Sequence, residues 1–418
     1  MSVVARGTWA GHQPGSREYR RLVWALLCAG IACFAALYAP QGVLPLVARS
    51  MRVSEAQSAL LVSAATMGLA LGVLPWSWVA DRIGRLTAMR IAMVASAVLG
   101  LAWTVCPGFE AMVVLRVLQG LALGGIPGLA VTYLHEEVSS SQAMVAAATY
   151  VSGTTLGGIS GRMIAGPVAE VWGWRWGVAV AWLVAALGSV TFVVLAPPAR
   201  GFVRDRGVRA GDVLRNVGVN LRDVGMLVLY AQAFLLMGGF VAVYNYLGFR
   251  LEAEPFGLSA AVTSLLFLAY LSGTLSSRQA GRLAGRLGRR AVLMLASGTM
   301  LAGIGLTLVD NLIAIAAGLL VVTGGFFGAH AIASGWVGAR AEIGRAQAAS
   351  LYTLFYYLGS SVLGWVGGVF FGGWQWPGVV ALFAGLVLAA SALVVIGARA
   401  LRSDRADPAE GSEGFDPA

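Results

Sequence analysis

Apolar residues along this chain come in long runs, and polar residues are confined to short gaps between them. A helix needs about 20 apolar residues to cross roughly 30 Å of hydrocarbon. Runs of that length fall near 22–47, 56–80, 87–105, 110–133, 143–168 and 175–197, and again near 224–248, 259–281, 291–309, 312–334, 347–371 and 378–398. The pattern predicts an all-α integral membrane fold of twelve transmembrane helices in two bundles of six. Connections are short except Pro198 to Asp223, which holds Arg200, Arg204, Arg206, Arg209, Arg215 and Arg222. The chain therefore divides into an amino-terminal tail (1–21), a first bundle (22–197), a linker loop (198–223), a second bundle (224–398) and a tail (399–418). That last tail, from Arg402 onward, has too little apolar content to fold and is expected to be mobile.

Composition sharpens the picture. Of 418 residues, 58% are hydrophobic and 11% charged, with a mean hydropathy of +0.78. A soluble domain carries about 25% charged residues, so too few remain here to cover a water-exposed surface. All 29 basic residues are arginine, which excludes lysine-dependent chemistry such as a Schiff base or a P-loop. With the amino terminus inside, the inside segments carry 23 of these arginines, whereas the outside loops hold Arg49, Arg52, Arg175 and Arg250. Membrane topology demands this bias. The net charge of +10 is thus a topological signal and no nucleic-acid footprint, and both termini are expected in the cytoplasm, with the chain in a bacterial inner membrane.

Arg20-Arg21 before an apolar run can mark a signal peptide, but the run continues through Val47 without a small-residue cleavage site and reads as a retained span. Cys28, Cys33 and Cys106 make no disulfide framework. With three scattered histidines and no cluster at ligand or triad spacing, no metal, cofactor or enzymatic activity is expected.

The two halves are related. Ser77-Trp-Val-Ala-Asp81-Arg82-Ile-Gly84-Arg85-Leu86 faces Gly281-Arg-Leu-Ala-Gly285-Arg286-Leu-Gly288-Arg289-Arg290 at an offset of 204. Tyr150, Gly153, Gly158, Gly161 and Gly166 match Tyr356, Gly359, Gly364, Gly367 and Gly372 at an offset of 206. Two matches at nearly one spacing indicate a duplicated six-helix unit. Such repeats suit two bundles rocking about a site near the bilayer midplane.

Three segments carry chemistry. Asp81, Arg82, Gly84 and Arg85 follow span two, and Arg286, Gly288 and Arg289 follow span eight. A carboxylate there can cap a neighbouring helix while arginines pair with acids on an adjacent loop, Glu136 and Glu137 in the first half and Glu342 in the second. The expectation is a latch that holds the outward-facing state; charges that only set topology are the alternative. Span four reads Arg116-Val-Leu-Gln119-Gly120 and continues to Gly124 and Pro127. An arginine near a helix centre costs about 2.5–3.5 kcal/mol on insertion scales, so Arg116 should face the bundle interior, for function or for pairing with backbone carbonyls. In span five, Gly153, Gly157 and Gly161 recur every four residues, with Gly166-Pro167 beyond them. Small residues at that spacing let helices approach closely. Arg162 sits in this ladder near the outer end, placed either to contact an anionic substrate or to snorkel outward.

These motifs resemble those of the major facilitator superfamily over nearly the whole chain. The loop after span two is similar to the superfamily's cytoplasmic motif, with Ser77 and Leu86 in place of a glycine and a second basic residue; the second copy has Gly285 in place of the aspartate. The Arg116–Gly120 stretch resembles its span-four motif, which implies a part for Arg116, Gln119 and Gly120 in proton coupling. Span five resembles the antiporter motif in part, Val168-Ala169 standing where paired glycines are usual. Tyr244-Asn245-Tyr246 through Arg250, Gly325-Phe326-Phe327 with His330, and Ser350 through Ser361 look closest to the YnfM-type inner-membrane exporters, grouped with arabinose- and drug-efflux permeases. Pro197-Pro198 departs from the Pro-Glu pair usual at the end of span six.

A proton antiporter needs a titratable group in its cavity, yet no Asp or Glu lies well inside a span. His330 in span ten is the remaining candidate, with a structural histidine in the inner vestibule as the alternative. Tyr352 and Tyr356 in span eleven, Tyr244 and Asn245 in span seven, Gln41 in span one and Arg162 are expected around the substrate. Phenols and amides without an acid point to a neutral, amphipathic or anionic solute. The leading expectation is proton-coupled export of a small organic solute, drug- or sugar-like, by a monomer in the lipid bilayer. An importer or uniporter on the same fold is the alternative.

Overall fold

The computed structural model describes residues 9–139, 142–202 and 210–401. Arg204, Arg206 and Arg209 of the linker and the tail from Arg402 lie outside the described residues. What is described is almost entirely helical. The first half holds α1 (Arg17–Met51), α2 (Glu55–Ile83), α3 (Arg85–Thr104), α4 (Phe109–Glu137), α5 (Ala143–Trp172) and α6 (Trp174–Leu195). A linker helix α7 (Ala210–Arg222) precedes α8 (Val224–Glu252), α9 (Ala260–Leu287), α10 (Arg289–Leu306), α11 (Leu312–Arg340) and α12 (Arg345–Ile396). Among the described residues, nine of these are long and apolar enough to cross a membrane: all but α5, α7 and α10. Helix α5 is diluted by Gly, Ser and Thr, and α10 carries Arg289 and Arg290 within its 18 residues.

Local sequence sets the ends and breaks. Ser54 and Gln57 form a capping box at the start of α2, and the side chains of Asp223 and Asn311 cap α8 and α11. Gly84 and Gly288, equivalent in the repeat, stop α2 and α9 at φ of 91° and 81°, a backbone region that only glycine adopts without strain. Pro40 opens a 3-10 segment, Ala39–Val43, inside α1, and α4 is broken just before Pro127. The loop expected between spans eleven and twelve is a tight turn: α12 is two helices joined across non-helical Trp374 and Gln375, ahead of Pro377.

Packing within each half repeats. The ladder Gly153, Gly157 and Gly161 lays α5 directly on the α1 carbonyls of Leu27, Ile31 and Ala35. In the second half Gly359 of α12 meets the Phe234 carbonyl of α8 in the same way, and Gly367 meets Ala242. Gly120 of α4 rests on the Ala65 carbonyl of α2. None of these approaches admits a Cβ, so small residues set the interhelical distance.

The halves meet along two related seams. On one, α2 packs against α12: the Ser361 hydroxyl donates to the Ser63 carbonyl at 2.7 Å, and Gly368 faces Ala56. On the other, α5 packs against α9, with Gly166 against Ala260 and Ser264. Chain ends and connections alternate between two ends of the molecule. One carries Arg82, Arg85, Arg200, Arg286, Arg289 and Arg340, and is called the arginine end; the other is the far end.

Candidate functional site

Between the halves lies a cavity of about 430 Å³, whose lining runs from the middle of the helices toward the arginine end. Helices α1, α5, α8, α9, α11 and α12 all line it. Its wall is aromatic and hydroxylic: Tyr38, Tyr150, Tyr270, Tyr352, Tyr356 and Tyr357, with Phe34, Phe240 and Phe327, and with Thr154, Thr155, Ser277 and Thr353 between them. The two arms of the repeat both contribute, Tyr150 from α5 and its equivalent Tyr356 from α12. Volume and lining fall within the range of small-molecule pockets, roughly 300–1,000 Å³ with few polar groups.

At the cavity's far-end limit stands Arg162, which is 1% exposed. Its Nε donates to Gln41 Oε1 at 2.7 Å, one Nη donates to the Gly158 carbonyl at 2.5 Å, and the other reaches the Tyr270 hydroxyl at 3.3 Å. The rings of Tyr38, Phe267 and Tyr270 face the guanidinium at 4.3, 4.8 and 4.8 Å. Gln41 in turn donates through Nε2 to Asn245 Oδ1 at 2.6 Å, joining α1 of the first half to α8 of the second. Gln41 and Asn245 are themselves 204 residues apart, so this bond lies on the molecular pseudo-two-fold axis. Farther out, Arg49 pairs with Glu252 at 2.6 Å, and a Glu170 carboxylate oxygen accepts the Ala261 N–H at 3.1 Å. Together these contacts close the far end.

The expected cavity set therefore divides. Arg162, Tyr352 and Tyr356 line the cavity, but Gln41, Tyr244 and Asn245 do not. Gln41 and Asn245 belong to the seal because they bond each other across the axis, and the Tyr244 hydroxyl is shared with Thr323 at 2.8 Å behind the wall. Hydropathy places polar residues within a span, but it does not say on which side of a closed contact they stand. His330 lines the cavity with its Nδ1 3.0 Å from the Tyr352 hydroxyl, and its ring stacks on Phe326. Tyr270, absent from the sequence-based set, is the main omission; an isolated tyrosine in span eight offered no periodic signal.

Arg116 lies elsewhere. Fully buried, it donates to the carbonyls of Leu61 at 2.6 Å and Ala36 at 3.1 Å, to the Leu37 carbonyl and to Gln119 Oε1. Ala36 would normally bond the N–H four residues on, but that residue is Pro40, which has none. Arg116 and Trp182 Nε1 (3.0 Å) supply the missing donors. Gln119 Nε2 completes the cluster by donating to the Ser96 carbonyl at 3.2 Å. The cluster welds α1, α2, α3 and α4 together inside the first half and is not part of the cavity wall.

Residues 26–334 match the family model described as Major Facilitator Superfamily. The chain belongs to the major facilitator superfamily. It is 38% identical over 380 residues to the inner membrane transport protein YnfM of Escherichia coli (strain K12), covering 91% of each chain. It is 35% identical to the uncharacterized MFS-type transporter YybF of Bacillus subtilis (strain 168), covering 90% of this chain and 93% of that one. Among solved structures its fold is similar to that of a bacterial homolog of the human lysosomal transporter Spinster, in an inward-facing, unoccupied conformation: TM-score 0.76, 14% identity, 95% of this chain and 100% of that one. The fold of the D-xylose-proton symporter is also similar, at TM-score 0.70 and 13% identity over 89% of this chain and 97% of that one. As a member of this superfamily the chain is a multi-pass inner-membrane protein of a membrane-transporter family.

The superfamily's loop motif can now be placed. Arg85 pairs with Asp81 at 2.5 Å and with Glu136 at 3.3 Å, all within the first half, and Arg82 stacks over Trp78 at 3.3 Å. Glu137 does something else. Its buried Oε1 accepts the backbone N–H groups of Arg200 and Gly201, each at 2.7 Å, and so anchors the start of the linker. His12 packs beside it, where burial and then the Arg200 charge lower the imidazole pKa. In the second copy, Arg286 and Arg289 are exposed, and among the described residues of the second half Arg340 pairs with Asp223 at 2.9 Å. No pairing of Glu342 with the second-copy arginines is seen among the described residues. These pairs stay within one half or fasten the linker, as suits a half with its cavity open on this side.

Proposed function

We propose that this superfamily member is a secondary active transporter that exports a small organic solute in exchange for protons by alternating access. In this reading α12 counts as two spans, α5 and α10 cross with the nine apolar helices, and twelve spans place both termini in the cytoplasm. The observation that carries the reading is the cavity between two repeated halves, lined toward the arginine end and cut off from the far end by contacts that join the halves, which leaves the arginine end as its way out. The arginine bias puts the open end in the cytoplasm, so the described state would load solute from inside. Rocking of the halves, with the Gln41–Asn245 bond broken, would then expose it on the other side. One chain supplies both walls of the cavity, so a monomer suffices.

His330 is the proton-carrying group in this reading, since among the described residues it is the titratable side chain on the cavity wall besides the tyrosines and Arg162. Inside-out vesicles test the whole. An exporter accumulates its solute there when the lumen is acidified; efflux of solute under that gradient would make the protein an importer, and saturable flux indifferent to the gradient a uniporter. His330→Gln is expected to abolish the dependence on the gradient while leaving solute counterflow, and undiminished gradient-driven flux would remove the histidine from the mechanism.

A further inference from the structure

The cavity wall holds one permanently charged side chain among the described residues, Arg162, and no carboxylate. Four arginines elsewhere meet acids, Arg49 with Glu252, Arg85 with Asp81 and Glu136, Arg250 with Asp310 and Arg340 with Asp223, while the buried Arg116 spends its donors on carbonyls and Gln119 away from this cavity wall. Arg162 meets only neutral acceptors. A guanidinium has five N–H groups; three of them go to Gln41, Gly158 and Tyr270, which leaves two without a hydrogen-bond acceptor among the described residues. Since the Tyr270 hydroxyl accepts from Arg162, its own proton is free to donate. A cation held in this way by dipoles and ring faces, in a site of low dielectric, attracts an anion far more strongly than it would in water. It also repels a cationic solute.

From this geometry we propose, resting on the transport reading above, that the solute is an organic monoanion with a flat apolar body. Its carboxylate sits on Arg162 and Tyr270, and its body lies against the aromatic wall of Phe240, Phe327 and Tyr356. One guanidinium with no second permanent cation on the wall, His330 having given up its proton before solute loads, selects one negative charge. The aromatic walls supply stacking surface for a planar body. A neutral solute would leave the two free N–H groups without charged partners.

The test is equilibrium binding to the full chain in nanodiscs, with empty nanodiscs subtracted for partitioning. The probes are benzoate, 4-hydroxybenzoate and 2-naphthoate, each beside its carboxamide and its aminomethyl analogue. At least one carboxylate is expected to bind ten-fold or more tighter than both analogues. Arg162→Gln should erase that preference, and Arg162→Lys, which keeps the charge but loses the planar fork, should retain it with weaker binding. An amide or amine that binds best, a carboxylate preference that survives Arg162→Gln, or no binding by any carboxylate would overturn the proposal. Transport in proteoliposomes separates the two readings. A carboxylate that binds but is never moved sinks the transport reading alone, whereas an amide or amine moved saturably sinks the anion alone.

Discussion

Removing the Gln41 side chain should unlock the far end. Gln41 is 4% exposed and makes the bond to Asn245 that joins the halves on the pseudo-axis, at 2.6 Å. In Gln41→Ala the closed state keeps Asn245 buried with its Oδ1 unpaired, whereas in the open state water reaches that atom. An unsatisfied buried polar group costs about 1–3 kcal/mol. The ratio of open to closed molecules should therefore rise about 5- to 150-fold. A reporter cysteine reads this directly. Thr263 is buried beside Gln41 in the closed seal, so Thr263→Cys, in a chain with Cys28, Cys33 and Cys106 replaced, should react with a membrane-impermeant maleimide only when the far end opens. Gln41→Ala is expected to speed labelling from the far-end side by that factor. Asn245→Ala should do the same, and the double variant, which leaves neither partner stranded, should label no faster than the single variants. Labelling unchanged by Gln41→Ala, or fully additive effects, would refute the assignment of this pair as the lock.

Three further outcomes follow from the packing. Arg116→Leu should lower the apparent thermal midpoint in detergent by several degrees, since the carbonyls of Leu61 and Leu37 lose their charged donor at roughly 1.5–3 kcal/mol per bond; an unchanged midpoint would show the cluster to be no structural weld. Gly157→Leu should prevent recovery of monodisperse protein, because its side chain would overlap the Ile31 carbonyl of α1, and size-exclusion chromatography checks this against Gly285→Leu, where the neighbourhood is open. Glu137→Ala should make the chain more sensitive to trypsin at Arg200 by freeing the two N–H groups it holds, and an unaltered cleavage rate would remove its role as the linker anchor.

Much of this architecture is legible in the sequence because lipid imposes it. A backbone in hydrocarbon must satisfy its own hydrogen bonds, so apolar run length marks nine of the described helices, while the Gly-, Ser- and Thr-diluted α5 and the arginine-bearing α10 fall short of it. The offsets of 204 and 206 likewise predict that α5 on α1 and α12 on α8 are one packing used twice, as Gly153 and Gly359 confirm. The same offset links Gln41 to Asn245, and applying it to polar residues within spans would have found the seal. Other features depend on the tertiary fold. Nothing local distinguishes an arginine welded to carbonyls, as Arg116 is, from one facing a cavity, as Arg162 is. Pro40 was the available clue, since it leaves the Ala36 carbonyl in need of a donor. Glu136 and Glu137 are adjacent in sequence, yet one meets Arg85 and the other the linker, because successive helical positions face different neighbours.

Distances between spin labels at the two ends test the alternating movement most directly. One pair, Val105→Cys and Ile313→Cys, spans the halves at the far end, and a second, Met144→Cys and Ile343→Cys, spans them at the arginine end; all four sites are exposed. Double electron–electron resonance in nanodiscs should find two populations related inversely, the far-end distance short where the arginine-end distance is long, with Gln41→Ala moving weight to the other. A single fixed distance at each end in both parent and variant, or two distances that lengthen together, would contradict a pair of rocking halves.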